Sequence, residues 1–380
     1  MTTKRATFKP TTTGESRTVD LPTGRLSMTT EPGSLAIDDL CGFAARINPK
    51  RAFLFVSKVL GRHIPVRPRS MREAHLELAR RLPPDLPGPI LFFGFAETAI
   101  ALGYGVFREY MHLHQRRDGY YIHSTRYRFK RPLLAEFREE HSHAAEHFIY
   151  GPADSTDMTR LLNARSLVLV DDELTTGNTL ANAATVLKRS LPHLKDVAGA
   201  VLTDWGGGRI RVSQFPVVSL LQGGFVFEPK QSRSKVSMPD VRSKSAHRDR
   251  DLPRNDGRFA LKAELDISPY LPLFEGGKDA DIAIVGTGEF VTVPFLVAEA
   301  LEQRGVSAWC QATTRSPVMI SNAIHSKQTF DDFHGDGITN FIYNLDGTMF
   351  DKIFLCAEYC PVSGIKERLG DLSVLPVDFT

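Results

Sequence analysis

Cysteine is scarce in this chain: Cys41, Cys310, Cys356 and Cys360 are the only four in 380 residues. That excludes a disulfide-stapled scaffold of the secreted type, and a reducing, cytoplasmic setting is expected. Long apolar runs are missing as well. No stretch reaches the roughly 18 uninterrupted apolar residues of a membrane-spanning helix, so no membrane partner is expected. The opening MTTKRATFKPTTTGESR has basic residues with no apolar segment behind them, and it does not read as a secretory leader. Neither sign of charge dominates, since 47 Lys and Arg stand against 44 Asp and Glu, a formal net charge of +3. No nucleic acid is expected as a partner on that balance. A Walker A loop, G-x-x-x-x-G-K-[ST], is absent, and so is any internal repeat.

The residues that are present describe a globular chain: 42% are hydrophobic and 24% charged. At this length one core is not expected to suffice, so two domains are anticipated. Residues 1–35 are Thr-rich and polar and read as a poorly ordered arm. Residues 37–66 mix helical periodicity with a proline-bounded end. MREAHLELARRLPP reads as an amphipathic helix with Met71, Leu76, Leu78 and Leu82 toward a core. Short apolar runs then alternate with helical patterns: GPILFFGF, SLVLVDD before TLANAATVLKRSLP, and VAGAVLTDWGGG. Such alternation predicts an α/β fold with a parallel sheet flanked by helices. Residues 229–260 are nearly devoid of large apolar side chains and read as a charged linker or mobile loop. A second, smaller α/β pattern fills residues 261–380, where strands in DIAIVGTGEF, VSAWCQATTRSP and DKIFLCAEY surround the helical VTVPFLVAEALEQRG.

The most informative stretch is LVLVDDELTTGNTL, residues 167–180. A buried strand runs into Asp171 and Asp172, and a loop of Thr175, Thr176, Gly177, Asn178 and Thr179 leads to a helix beginning near Thr179. Backbone N–H groups at such a loop, with a helix dipole behind them, suit a phosphate. The Thr hydroxyls add donors, and Gly177 permits close backbone approach. Adjacent carboxylates suit sugar hydroxyls and a hydrated Mg²⁺, directly or through water. Phosphate, vicinal hydroxyls and Mg²⁺ together describe a ribose 5-phosphate bearing a further phosphate group.

This stretch resembles the phosphoribosyl-pyrophosphate (PRPP) motif of type I phosphoribosyltransferases. The resemblance implies the phosphoribosyltransferase fold, with a mobile hood, over residues 36–228. It assigns the ribose hydroxyls and Mg²⁺ to Asp171 and Asp172, and the 5-phosphate to Thr175–Thr179. In that family the loop after the first strand binds pyrophosphate, which here means Phe95, Ala96, Glu97 and Thr98, with backbone N–H groups toward the diphosphate. A plainer reading of the same loop is a helix N-terminus capped by Thr98. Hypoxanthine–guanine enzymes carry an acid at the position filled here by Thr175, so that branch is disfavoured. Between the two strands, where the family places its hood, Arg126 and Arg128, with Lys130 and Arg131, are candidates to neutralise departing pyrophosphate. Glu140, His141 and His143 are candidates for proton transfer or for covering the site.

Two further patterns bear on function. His143-Ala-Ala-Glu-His147 satisfies H-x-x-E-H and would place both histidines on one helical face, the arrangement of a zinc hydrolase. In the second domain Gly286 and Gly288 form a weak phosphate-loop signal, and Arg315 and Ser316, in Thr-Arg-Ser-Pro after a strand, are candidate anion contacts. That tetrapeptide, with the GTGEF turn ahead of it, resembles the TRSP domain found C-terminal to one phosphoribosyltransferase branch of bacterial tellurite-resistance and stress gene clusters. The whole chain then reads as a PRPP-dependent, Mg²⁺-using phosphoribosyltransferase. It would act on a nitrogenous base or base-like acceptor and work as a homodimer. The competing readings are a non-catalytic PRPP sensor on the same fold and the zinc hydrolase.

Overall fold

The computed structural model describes residues 9–46, 48, 51–138, 146–207, 215–230, 262, 264–274, 280–331, 337–345 and 348–357, with the backbone alone of 374–378. Glu140, His141, His143, Cys360 and all but the first two residues of the 229–260 linker lie outside the described residues.

The main sheet has nine strands. Its centre is built from β5 (Ile90–Gly94), β6 (Gly119–Thr125), β9 (Ser166–Leu174), β10 (Asp196–Asp204) and β11 (Val217–Pro229), which run parallel in the order β11-β10-β9-β5-β6. Ile90–Phe93 and Leu167–Val170 are almost wholly buried, as expected of strands covered on both faces. The flanking strands are antiparallel. β7 (Leu133–Arg138) and β8 (Glu146–Tyr150) extend the β6 side, while β1 (Ser16–Leu21) and β2 (Gly24–Thr30) join at β11. The polar N-terminal stretch is therefore not a loose arm from residue 16 onward. Its alternation of exposed and buried side chains in Gly24–Thr30, with Leu26 and Met28 buried, is the period of a strand with one wet face.

The segment expected to mix helix with other structure holds a single helical turn, α1 (Ile37–Leu40), and a hairpin of β3 (Cys41–Ala45) and β4 (Phe53–Ser57). Helix α2 (Pro68–Arg81) opens on proline, whose fixed φ suits the first helical turn, and closes with Arg80 and Arg81 facing its dipole. It buries Met71, Ala74, His75 and Leu78, whereas Leu76 is only half-buried. Helix α3 (Ile100–Leu113) is buried nearly all round because α2 and α6 (Thr292–Gln303) of the second domain both pack on it.

The second domain has its own parallel sheet, in the order β13 (Ser307–Ala312), β12 (Asp281–Gly286), β16 (Lys352–Ala357), β17 (Val374–Asp378). A hairpin of β14 (Lys327–Asp331) and β15 (Thr339–Tyr343) accompanies it. The two domains are joined by backbone hydrogen bonds. Val66 and Cys310 exchange N–H···O bonds of 3.0 and 2.8 Å, and Ala45 O accepts from Met319 N at 2.9 Å. Charged contacts reinforce the junction, where Arg108 on α3 grips Glu299 on α6 through two bonds of 2.6 and 2.7 Å. No helix among the described residues is long and apolar enough to cross a membrane.

Candidate active site

Strand β5 leads through α3 to β6 on one side, while β9 leads through a helix, α5 (Asn178–Ser190), to β10 on the other. The chain therefore diverges at the carboxyl ends of two adjacent strands, and a crevice opens there. One cavity of about 1090 Å³ occupies it. It is lined by Phe95–Thr98 from the β5 loop and by Asp171, Asp172, Thr175, Thr176, Asn178 and Thr179 from the end of β9 and the start of α5.

Strand β9 reaches further than its apolar run, to Leu174, because Asp171 and Glu173 stay in register with Val201 and Thr203 of β10. Asp171 Oδ1 accepts from the backbone N–H of Asp172 at 2.9 Å. Asp172 Oδ1 accepts from the Thr98 hydroxyl at 2.8 Å, which ties the ends of β5 and β9 together. Gly177 precedes α5 with φ 75°, a left-handed conformation that side chains with a Cβ adopt at a cost. Thr175, Thr176, Asn178 and Thr179 line the cavity around the start of α5, where the Asn178 N–H donates to Thr176 Oγ1 at 3.4 Å.

In the β5 loop the Ala96–Glu97 peptide is cis, and α3 begins at Ile100 with Ala99, not Thr98, at its N-cap position. Thr98 therefore does not cap α3; its hydroxyl serves Asp172 instead. The N–H groups of Phe95 and Ala96 are spent internally, on Val170 O at 3.3 Å and Ser124 Oγ at 2.9 Å. Among the described residues only Glu97 and Thr98 keep loop N–H groups that no protein acceptor engages.

The second domain closes the cavity from above. Thr314, Arg315 and Ser316 line it, and Arg315 Nε donates to Glu97 Oε1 at 2.5 Å. Burial alone would lower the Arg315 pKa, but the charge of Glu97, with Tyr127 and Glu289, outweighs it and holds the guanidinium charged. Arg62, also buried, donates to Gly288 O, Thr313 O and Glu97 O, so one side chain spans both domains and the β5 loop. Glu289 reaches back to Thr125 Oγ1 at 2.6 Å and to Arg126 N at 2.7 Å. The Gly286–Gly288 turn, by contrast, does not face the cavity. The Gly288 N–H donates to Thr313 Oγ1 at 2.8 Å, and a Cβ on Gly286 would lie 2.2 Å from Phe290 O, so the glycine serves a tight turn.

The basic candidates of the hood region separate. Arg126 lines the cavity and donates to Ala96 O and Glu146 O. Arg128 does not line it; the guanidinium lies 4.5 Å from the Phe148 ring centre and 3.3 Å from Glu136. The helix expected for His143–His147 is also absent at its described end. Glu146 and His147 belong to β8, where the His147 ring stacks on Phe137 at 4.4 Å and its Nδ1 meets Ser124 Oγ at 2.7 Å. No group of three or more His, Cys, Asp or Glu able to hold a metal occurs among the described residues. Asp171 and Asp172 nevertheless fit Mg²⁺, because that ion is commonly held by one or two carboxylates with substrate phosphates and water completing its shell.

Several lining residues carried little signal in the sequence. Arg46, Asn48 and Arg51 come from the turn between β3 and β4, and His63 from the segment before α2. Arg51 pairs with Glu173 at 2.5 Å and lies over the rings of Phe53 and Phe55. Glu173 is buried, which raises its pKa against the pull of Arg51. Only the basic run Arg46 to Arg51, set between two apolar strands, hinted at such a role.

Residues 40–217 match the model of a phosphoribosyl transferase family, and residues 258–369 match that of the TRSP domain found C-terminal to it. The chain is thus a phosphoribosyltransferase. More narrowly, it belongs to the branch in which a TRSP domain follows the transferase domain. Solved structures similar to it include adenine phosphoribosyltransferase from Rhodothermus marinus, 17% identical over 49% of this chain and 96% of that one, with a TM-score of 0.33. The enzyme from Trypanosoma brucei, in complex with AMP, pyrophosphate and ribose-5-phosphate, is 15% identical over 51% and 82%, with a TM-score of 0.35. Orotate phosphoribosyltransferase from Aeropyrum pernix is 16% identical over 45% and 78%, with a TM-score of 0.27. No curated protein matches the chain.

Proposed function

We propose that the protein transfers the 5-phosphoribosyl group of PRPP to a ring nitrogen of a base or base-like acceptor and releases pyrophosphate. One observation carries this reading: Asp171 and Asp172 open onto the same cavity as the 175–179 loop, with Thr98 of the β5 loop hydrogen-bonded to Asp172. In the step itself the bond from ribose C1 to the pyrophosphate oxygen breaks, and its electron pair leaves with pyrophosphate. The acceptor nitrogen supplies the pair for the new C1–N bond, and the nitrogen's proton passes to solvent. The ribose ring carries positive charge in between.

The chain's groups divide accordingly. The 175–179 loop and the N-terminus of α5 hold the 5-phosphate. Asp171 and Asp172 orient the ribose hydroxyls and offset the transient charge at C1. The N–H groups of Glu97 and Thr98 and the guanidinium of Arg126 face the departing diphosphate. Mg²⁺, bound through Asp171 and Asp172 or their water shell, would neutralise diphosphate charge. The TRSP loop covers the cavity and keeps water from the donor.

Calorimetry and pyrophosphate release test the reading together. Wild-type protein with Mg²⁺ is expected to bind PRPP, and a D171N/D172N variant to lose at least tenfold in affinity. Equal binding by the variant, or no binding by wild type, overturns it. Binding without pyrophosphate release across a broad panel of nitrogenous acceptors would instead identify a PRPP sensor.

A further inference from the structure

The charges lining the cavity are four carboxylates, Glu97, Asp171, Asp172 and Glu173, and four guanidinium groups, Arg46, Arg51, Arg126 and Arg315. Most of them are accounted for. Arg315 is paired with Glu97 and Arg51 with Glu173. Arg126 donates to the carbonyls of Ala96 and Glu146. Asp171 and Asp172 are committed to the ribose in the reading above. Arg46 is left over. Its guanidinium makes no ion pair or side-chain hydrogen bond among the described residues, and its Nε is buried without a partner. Burial and the neighbouring Arg51 weigh against its charge more than the carboxylates of Glu173 and Asp172 support it, and a largely buried cation without a direct partner is costly unless an anion arrives.

The surroundings of Arg46 point to where that anion belongs. Arg46 lies at the end of β3 and bridges to Val318, just past the Thr314–Pro317 tetrapeptide. Among the described residues, other buried atoms of the cavity lining without a hydrogen-bond partner are Ser316 Oγ and His63 Nε2, with Arg51 Nε and the terminal nitrogens of Arg315, whose guanidinium groups are each ion-paired. Ser316 and His63 share one scaffold, since the Tyr343 hydroxyl donates to Ser316 O at 2.7 Å and the Tyr343 ring lies 5.7 Å from that of His63. His63 is itself 7% exposed. An arginine without an ion pair among the described residues, a serine hydroxyl and an imidazole form a donor set matched to a carboxylate. Beside it the cavity is walled by Phe53, Phe55 and Phe225. Arg51 already lies over Phe53 and Phe55, and Trp205 stacks on Phe55, so these rings offer a partner an apolar wall rather than a free stacking face.

We propose that this cluster, built jointly by the β3–β4 hairpin and the TRSP loop, is the acceptor subsite, and that it selects a planar nitrogen heterocycle carrying a carboxylate. Arg46 is its specificity-determining residue, and Ser316 is the second domain's contribution. The role of the ligand as acceptor rests on the phosphoribosyl-transfer reading; the anion preference itself does not.

Matched acid and neutral probes test it: nicotinate against nicotinamide, orotate against uracil, and imidazole-4-carboxylate against imidazole-4-carboxamide. Calorimetry on the full-length protein measures each one, and PRPP binding is measured separately. At least one acid is expected to bind tenfold or more tightly than its neutral counterpart. Arg46→Met should abolish that preference while leaving PRPP affinity within about twofold, which also shows that the variant is folded. Arg46→Lys should restore part of the preference, and Ser316→Ala should weaken the acid severalfold. The proposal is overturned if no acid outbinds its neutral partner, if the preference survives in Arg46→Met, or if that variant loses PRPP at least as strongly as the acid. Failure of wild type to bind PRPP would sink the transfer reading and leave the acid–neutral comparison legible.

Discussion

Arg315 of the TRSP domain and Glu97 of the β5 loop form a buried ion pair across 218 residues of sequence, with Nε to Oε1 at 2.5 Å. Their side chains are 8% and 13% exposed. The second domain therefore ties down the β5 loop through a charged contact from outside the transferase domain.

Breaking one half of this pair leaves a buried charge behind. Arg315→Met is expected to destabilise the protein by about 3–5 kcal/mol. The double variant Arg315→Met/Glu97→Gln should recover much of that loss. Denaturant unfolding of the singles and the double completes the cycle, and strictly additive losses would show that the contact carries no coupling.

Thr98→Val removes the hydroxyl that positions Asp172 and preserves shape. A hydrogen bond of this kind contributes about 0.5–1.5 kcal/mol, so PRPP affinity should fall about two- to tenfold. A titration with PRPP and Mg²⁺ at fixed pH checks this, and unchanged affinity would mean that Asp172 needs no such support.

The φ of 75° at Gly177 makes this glycine the sensitive point of the 175–179 loop. Gly177→Ala should cost about 1–2 kcal/mol in stability and weaken PRPP binding. Gly177→Asn, whose side chain tolerates the left-handed region better, should be milder on both counts. The reverse order of severity would place the strain elsewhere.

Stability should fall with acid through two buried histidines. Burial, reinforced by neighbouring arginines, lowers both His63 and His75 to about 3 from the usual 6.5. Between those values the unfolded chain binds protons that the folded chain refuses, so stability is full above pH 6.5 and declines as pH drops toward 3. Each histidine contributes on the order of 1 kcal/mol per pH unit in that window. Chemical unfolding at pH 7, 6 and 5 measures the slope, and His75→Phe should reduce it.

Much of the transferase domain was legible because its signals are local. Ile90–Gly94 and Ser166–Leu174 are strands where uninterrupted apolar runs demanded burial, and α2 lies where the 3.6-residue period placed it. The edge strands were harder. Ser16–Leu21 and Gly24–Thr30 are polar on one face, and only docking onto β11 makes them a sheet. The pattern at His143–His147 misled for a related reason. Spacing that fits a helix fits a strand as well, and His147 is drawn into β8 by pairing with β7 and stacking on Phe137.

By itself the sequence determined the local layout of Asp171 through Thr179, because strand, acids, loop and helix start are consecutive and their geometry follows from backbone rules a few residues long. Only the tertiary structure decided that Arg46, His63, Arg315 and Ser316 line the same cavity. Those residues meet through β3, the segment before α2 and the TRSP loop, whose association depends on hydrogen bonds and ion pairs between parts of the chain more than two hundred residues apart. No local periodicity encodes such contacts, since they form only when two layers far apart in sequence present complementary edges.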